Sequence, residues 1–198
     1  MFAESILQWV CIVLLMDVSE VLTFRRVRDA ADFDGLRIAA LVPGHPGHPV
    51  RWSYDNAPSS VHIGAYLKDE LIGCVSSYDT RDLDPEAPAS VRLHSMAIDA
   101  SVRGMGLGRK LLGELARVLL IEGGDFEILE ATARDSAVGF YNRLGFELGP
   151  KGRFEFKETG FAANWIQISR EKMASCLLSD PLKVSRSQVR PAWFPASA

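Results

Sequence analysis

Between Val91 and Ile121 the apolar pattern changes from period 2 to period 3.6 across the segment Arg103-Gly104-Met105-Gly106-Leu107-Gly108-Arg109. Few architectures place a glycine-rich loop between a strand and a long amphipathic helix, so this switch constrains the fold most. Val91 to Ile98 reads as the strand. The helix runs from about Gly106 to Ile121, with Leu107, Leu111, Leu112, Leu115, Val118 and Leu119 on one face and Gly123-Gly124 closing it. Periods alternate in the same way on both sides, with no internal repeat or low-complexity tract, which marks a mixed α and β domain.

Upstream, Val21 to Val27 is a predicted strand and Asp29 to Val42 a predicted helix, capped by Asp29 and stopped by Pro43-Gly44. Pro43 to Pro58 is a loop rich in Pro, Gly and His. Val61 to Leu67 and Leu71 to Tyr78 pair as a hairpin about Lys68-Asp69-Glu70, followed by a polar turn from Asp79 to Pro88. Downstream come a strand from Phe126 to Thr132, a helix from Asp135 to Leu144 ended by Gly145, and strands at Phe146 to Leu148, Phe154 to Phe156 and Trp165 to Ser169. Residues 1–20 are an apolar N-terminal extension, 21–170 the domain, and 171–198 a C-terminal tail with the Pro and Ser content of mobile chain.

The length of 198 residues, 47% of them hydrophobic, suits one domain with its own core. A net charge of −3 gives no global positive field, so neither nucleic acid nor an anionic membrane is an expected partner. Any anionic ligand must be held locally. Cys11, Cys74 and Cys176 are widely separated and form no C-x-x-C pair, which fits a reducing cytoplasm and no metal site. The apolar run from Ile6 to Met16 is too short to span a bilayer, and only Glu4 is charged upstream of it, where a signal peptide has Lys or Arg. It reads as a buried or oligomer-facing segment, or as an extension before an alternative start at Met16. Monomer and homodimer both stay open.

The glycine-rich loop has a definite chemistry. Glycines let the backbone approach a ligand closely, the first N–H groups of the helix have no acceptor inside it, and Arg103 and Arg109 add positive charge. Such a loop suits a diphosphate. A Rossmann fingerprint would need glycine where Arg109 stands, and the Gly-Lys-Ser/Thr of a Walker A loop is absent.

Arg103-x-x-Gly106-x-Gly108 resembles the R/Q-x-x-G-x-G/A loop of the GNAT superfamily of N-acyltransferases, and Met96-Ala97-Ile98-Asp99 resembles the strand before it. Ala137-x-x-Phe140-Tyr141-x-x-Leu144-Gly145-Phe146 is similar to the family's A-x-x-F-Y-x-x-x-G-F helix and following strand, in the same order. The resemblance covers roughly Val21 to Arg170, and its end is similar to a small ElaA-like branch. It implies an α/β (α+β) fold with a mixed, mostly antiparallel central sheet, splayed in the middle and flanked by helices. It also implies acetyl-CoA as acyl-donor cosubstrate in the cleft between the strands ending near Ile98 and Thr132. Pantetheine would lie against Met96, Ala97 and Ile98, and the diphosphate on Arg103, Gly104, Met105, Gly106, Leu107, Gly108 and Arg109. The implied activity is direct acetyl transfer to a primary amine of a small molecule, peptide or protein. Tyr141 takes the family's role of general acid toward the departing CoA thiolate, or of orienting the cofactor. At Arg134 this chain departs from the asparagine that many members use to contact the cofactor.

Direct transfer needs a neutral amine, a donor for the oxyanion and a group that protonates or stabilises the thiolate. A backbone N–H near Ile98 can serve the oxyanion. His94 is the candidate base, on the cleft side if alternation runs unbroken through Met96 and Ile98; a β-bulge would change that side. His94 reads equally as a hydrogen-bonded strand histidine, and so does His62. His45 and His48 have no Cys or carboxylate beside them and belong to a flexible loop. Arg51, Trp52, Tyr54 and Asp55 follow in a region that helps form the acceptor site in related enzymes. The rival reading is a non-catalytic CoA-binding sensor or interaction module. A dinucleotide enzyme is disfavoured by the glycine spacing and by hairpins where βαβ units belong.

Overall fold

Period 2 becomes strand and period 3.6 becomes helix in the expected order. The computed structural model describes residues 22–45, 47–156 and 160–178. Strands β1 (Leu22–Val27), β2 (Val61–Leu67), β3 (Glu70–Asp79), β4 (Ser90–Ile98), β5 (Ile128–Arg134), β6 (Glu147–Glu155) and β7 (Ala162–Ser169) form one sheet in the order β1-β2-β3-β4-β5-β7-β6. Every neighbouring pair is antiparallel except β4 and β5. Helices α1 (Asp34–Leu41), α2 (Leu107–Glu122), α3 (Asp135–Arg143) and α4 (Arg170–Leu177) flank it. The fold is the mixed, mostly antiparallel arrangement expected from sequence.

The parallel seam controls the site. β4 and β5 are in register from Ser90↔Ile128 to Leu93↔Ala131 and no further, although β4 continues to Ile98 and β5 to Arg134. Beyond Leu93 the sheet therefore splays. Beside the opening, Cys74 faces Ala97 and Ser76 faces His94, so Val75 alone spans Ser95 and Met96. Ser95 takes φ 53°, and this extra residue is a β-bulge that bends β4.

One face of the sheet holds the main core. Leu111, Leu112, Leu115, Ala116 and Leu119 of α2 pack with Ile63, Ala65, Val75, Leu93, Leu129, Ala131, Ile166 and Ile168. A fully buried leucine contributes about 1.5–3 kcal/mol, so this heptad-like stripe anchors the helix behind the glycine loop. The other face carries a smaller cluster of Phe33, Cys74 and Ala97, covered by Leu36, Ala40 and Leu41.

Three expectations are corrected. The helix from Asp29 to Val42 is instead a 3₁₀ turn, Ala30–Phe33, followed by α1; the Asp29 carboxylate accepts from the Ala31 N–H, and the tight turn drives Phe33 to complete burial. The strands at Phe146 to Leu148 and Phe154 to Phe156 are one strand, β6, with a register break between Leu148 and Arg153. Residues 170–177 do not begin a tail: Ser169 caps α4, and its Met173 and Leu177 enter the main core. The N-terminal extension, with its apolar run, and the chain beyond 178 lie outside the described residues.

Candidate active site

The bulge at Ser95 decides which side chains share a face. Without it, His94, Met96 and Ile98 would point the same way. With it, His94 and Ala97 face α1, while Met96 and Ile98 pack against the main core beside α2 and α3. Of the two alternatives for β4, the bulged one holds, and one inserted residue puts His94 and Met96 on opposite faces. Beside the opened seam, the two faces of the sheet thus carry different side chains.

On the α2 face lies the glycine loop. Gly104 and Gly106 have φ 79° and 80°, which a β-carbon disfavours, and Gly106 is the N-cap of α2 without any side-chain cap. A β-carbon at either position would meet nothing within 4 Å, so open space fronts the loop. Gly108 differs: its β-carbon would lie 3.0 Å from Phe140 Cζ and 3.3 Å from Met96 Cε, which places it in the packing between α2, α3 and β4. Met105 is exposed, whereas the Leu107 side chain is in the core, so Leu107 can offer a ligand only its backbone. Arg103 Nε donates to the Ile98 carbonyl at 3.1 Å, and Arg109 Nη2 donates to the Cys176 carbonyl at 3.0 Å near the end of α4.

Tyr141 projects from α3 into the same region. Its ring is wedged between Phe140 and Phe146, and its hydroxyl donates to Met96 Sδ at 3.4 Å. Burial pushes the phenol well above its ordinary range, so it stays a proton donor at any physiological pH. A thioether is a weak acceptor. The phenol is thus held beside Met96, on the part of β4 past its pairing with β5, by a partner that a stronger acceptor would displace.

On the α1 face a buried ionic network surrounds His94. Arg37, completely buried, donates through Nη1 and Nη2 to both Asp55 oxygens at 3.0 and 3.1 Å, to the Val50 carbonyl and to Ser76 Oγ. Ser76 Oγ in turn lies 2.7 Å from His62 Nδ1, and His62 Nε2 lies 2.9 Å from the Asp55 carbonyl. A carbonyl only accepts, so His62 is protonated on Nε2 and takes the Ser76 proton on Nδ1. That fully bonded His62 is structural.

His94 is bonded at one nitrogen only. Nδ1 lies 2.9 Å from Ser95 Oγ, while Nε2 is buried without a hydrogen-bond partner, 3.8 Å from Asp55 Oδ1. Its ring stands edge-on to Tyr54 (4.7 Å) and Tyr78 (5.7 Å), and Tyr54 also stacks on Trp52. Burial pushes the imidazole down to about 3 against the pull of Asp55, so it is neutral at pH 7. For Asp55 itself, burial acts upward, but the Arg37 and Trp52 N–H bonds outweigh it and hold the carboxyl below its usual range. Cys74 beneath is pushed up to about 12 by burial and is no nucleophile.

A second cluster on this face was not singled out from the sequence. Glu130 accepts from Arg92 Nε at 2.9 Å and from Trp165 Nε1 at 3.2 Å. The signal existed: Glu130, Thr132 and Arg134 alternate with Leu129, Ala131 and Ala133, so one face of β5 is polar. Arg134, at the position of the expected asparagine, places its guanidinium 4.1 Å over Phe161, and His45 stands edge-on to the same ring. No group of three His, Cys, Asp or Glu suited to a metal occurs among the described residues, and His45 and His48 gather no ligands. No described helix is long and apolar enough to cross a membrane.

Residues 35–146 match the model of the Acetyltransferase (GNAT) family. The chain is 36% identical over 95 residues to an uncharacterised protein of Mycobacterium leprae (strain TN), a match covering 47% of this chain and 25% of that protein. It thus spans about a quarter of that relative's length. It is 27% identical over 120 residues to the N-alpha-acetyltransferase RimI of Mycobacterium tuberculosis (strain ATCC 25618 / H37Rv), covering 60% of this chain and 73% of that one. Among solved structures, Escherichia coli ElaA superposes with a TM-score of 0.60 at 15% identity, covering 74% of this chain and 98% of that one. An aminoglycoside 6'-N-acetyltransferase complexed with coenzyme A gives 0.57 at 14% identity, covering 75% and 97%. At such identities the solved structures bear on the fold alone. The family match runs through the glycine loop, the splayed seam and the Tyr141 helix, and on that ground the chain belongs to the GNAT acetyltransferase family.

Proposed function

We propose that this protein transfers an acetyl group from acetyl-CoA directly to a primary amine of a small molecule, peptide or protein. The observation that carries the reading is the opened β4–β5 seam, flanked by the glycine loop and by the buried Tyr141 hydroxyl. The diphosphate of coenzyme A rests on backbone N–H groups of residues 103–109, with Arg103 adding charge, and pantetheine enters the splay along Met96, Ala97 and Ile98. An unpaired N–H at the end of β4 then faces the thioester oxygen and stabilises it as negative charge develops.

The two faces divide the reaction. Tyr141, a neutral phenol on the α2 side, gives its proton to the departing thiolate. The amine approaches from the α1 side, beside His94 and the Trp52–Tyr54 turn. His94 is a poor resting base with its pKa near 3. It accepts the proton only after attack, when the nitrogen bonded to the tetrahedral carbon is far more acidic than a free ammonium, and passes it to water. The family match and the N-alpha-acetyltransferase among the relatives support acyl transfer over a sensor without turnover.

Calorimetry with acetyl-CoA tests the cofactor site. Asn and Asp both tolerate the left-handed backbone at Gly106, are nearly equal in size and differ in charge. Gly106→Asp is therefore expected to weaken binding at least about tenfold more than Gly106→Asn, from one misplaced charge beside a diphosphate. Tyr141→Phe is expected to lower kcat about 10²-fold with acetyl-CoA affinity intact. Folded wild-type protein that binds no acetyl-CoA sinks the reading; binding without acetyl transfer to any amine leaves the sensor.

A further inference from the structure

The α1 face of the sheet carries an excess of positive charge that the transfer steps do not use. Three cations there are matched: Arg37 by Asp55, Arg51 by Asp34 and Arg92 by Glu130. Lys151 and Arg134 have no carboxylate within ion-pair distance among the described residues. Asp135 and Arg153, their neighbours in sequence, are paired with each other and turned the other way: Asp135 also takes the amide of Asn164, which alternation directs opposite to Trp165.

Each unmatched cation rests on an aromatic ring. Arg92 Cζ lies 3.7 Å and Lys151 Nζ 3.9 Å from the centre of the Trp165 ring. Both cations therefore rest on the indole, whose Nε1 is fixed by Glu130. Arg134 rests on Phe161, opposite Ala163 on β7, two residues from Trp165. It lies two residues beyond Thr132, roughly 7 Å along the strand, at the mouth of the splay. Burial lowers its pKa with no carboxylate acting against it. A partly buried guanidinium and an exposed ammonium, each resting on an aromatic ring beside a reaction cleft, suit an anion.

We infer that Arg134 and Lys151 bind a carboxylate carried by the acceptor close to its reacting amine. The acceptor class is thus an amino acid or an acidic peptide, and polyamines are rejected by like charge. This rests on the acyl-transfer reading of the same cleft.

The test is calorimetry of product-type probes on protein saturated with coenzyme A. N-acetylalanine is compared with its carboxamide for an α-carboxylate, and the N-acetylated alanyl-aspartyl dipeptide amide with its asparaginyl counterpart for an acidic side chain. In at least one pair the carboxylate binds at least about tenfold tighter, as charge-assisted hydrogen bonds imply. The Arg134→Gln/Lys151→Gln double variant brings that ratio near one while keeping acetyl-CoA affinity within about twofold, which also shows that it folds. The inference is overturned if neither carboxylate is preferred, if the variant keeps the preference, or if it loses acetyl-CoA instead, since Arg134 would then serve the cofactor. Absence of acetyl-CoA binding by the wild type overturns the transferase reading as well, whereas cofactor binding without carboxylate preference overturns this inference alone.

Discussion

Removing the Arg37 guanidinium would strand the Asp55 carboxylate among Trp52, His62 and His94 with no counter-charge. Arg37→Met is therefore expected to cost about 3–5 kcal/mol, read as a lower urea midpoint at pH 7, and Arg37→Met/Asp55→Asn to recover part of it. His94 adds a pH dependence of known sign. Its pKa is depressed on folding, so the unfolded chain takes up a proton that the folded protein refuses; the stabilisation is present above pH 6.5 and is lost as pH falls toward 3. Asp55, Asp79, Asp99 and Asp135 are also depressed, but from 3.8, so they act mainly below about pH 5. Urea midpoints at about pH 7, 6 and 5 should fall, and His94→Gln should flatten the decline, leaving only the share of the likewise depressed His62. An equally steep slope in that variant would contradict the assignment. The positions of the glycine loop and of the Tyr141 helix were legible because each motif is local in sequence. The Arg37–Asp55–Ser76–His62 network was not, since its members come from four separate segments and only the folded sheet brings them together.

Within β4 one residue decides how two half-sites are arranged. Ser95 sits at φ 53°, where glycine has no steric penalty and a β-branched side chain has a severe one. Ser95→Gly is expected to change stability by less than about 1 kcal/mol, while Ser95→Val loses about 2 kcal/mol or more, both measured by thermal or urea unfolding. If Ser95→Val were neutral, the bulge would be a feature that the strand can shed, and the separation of His94 from Met96 would not be built into the element. Strand and helix positions were legible from periodicity because most elements keep an apolar side toward the α2 core, while α1 turns its own toward the Phe33, Cys74 and Ala97 cluster. The bulge left only a faint sign, two polar residues in succession, His94 and Ser95, between Leu93 and Met96, and a serine at a strand position does not by itself announce a positive φ. α4 was missed for a different reason: only Met173 and Leu177 of its eight residues are buried, with Cys176 partly so, too few for a period to show. Met173→Ala should still cost about 2–5 kcal/mol, since that side chain is fully buried against α2.

At the scale of the molecule, the sheet is two antiparallel halves, β1 to β4 and β5 with β7 and β6, joined by a parallel seam only four residues long. Past Leu93 the inner edges of β4 and β5 are not paired with each other. A ligand that lies along the gap supplies the missing partner and ties the halves together. Acetyl-CoA at 100 times its Kd is expected to stabilise the fold by about 2.7 kcal/mol through mass action. Hydrogen exchange locates the effect: peptides covering residues 94–98 and 103–109 should gain protection on adding acetyl-CoA, while β1 and β2, remote from the seam, should not change. The net charge of −3 sharpens this expectation, because an anionic cofactor repelled by the molecule as a whole has affinity only where backbone N–H groups and a few cations converge. Protection spread evenly over all seven strands would mean that the cofactor stabilises the protein without entering the seam, and both half-sites would then have to be placed elsewhere.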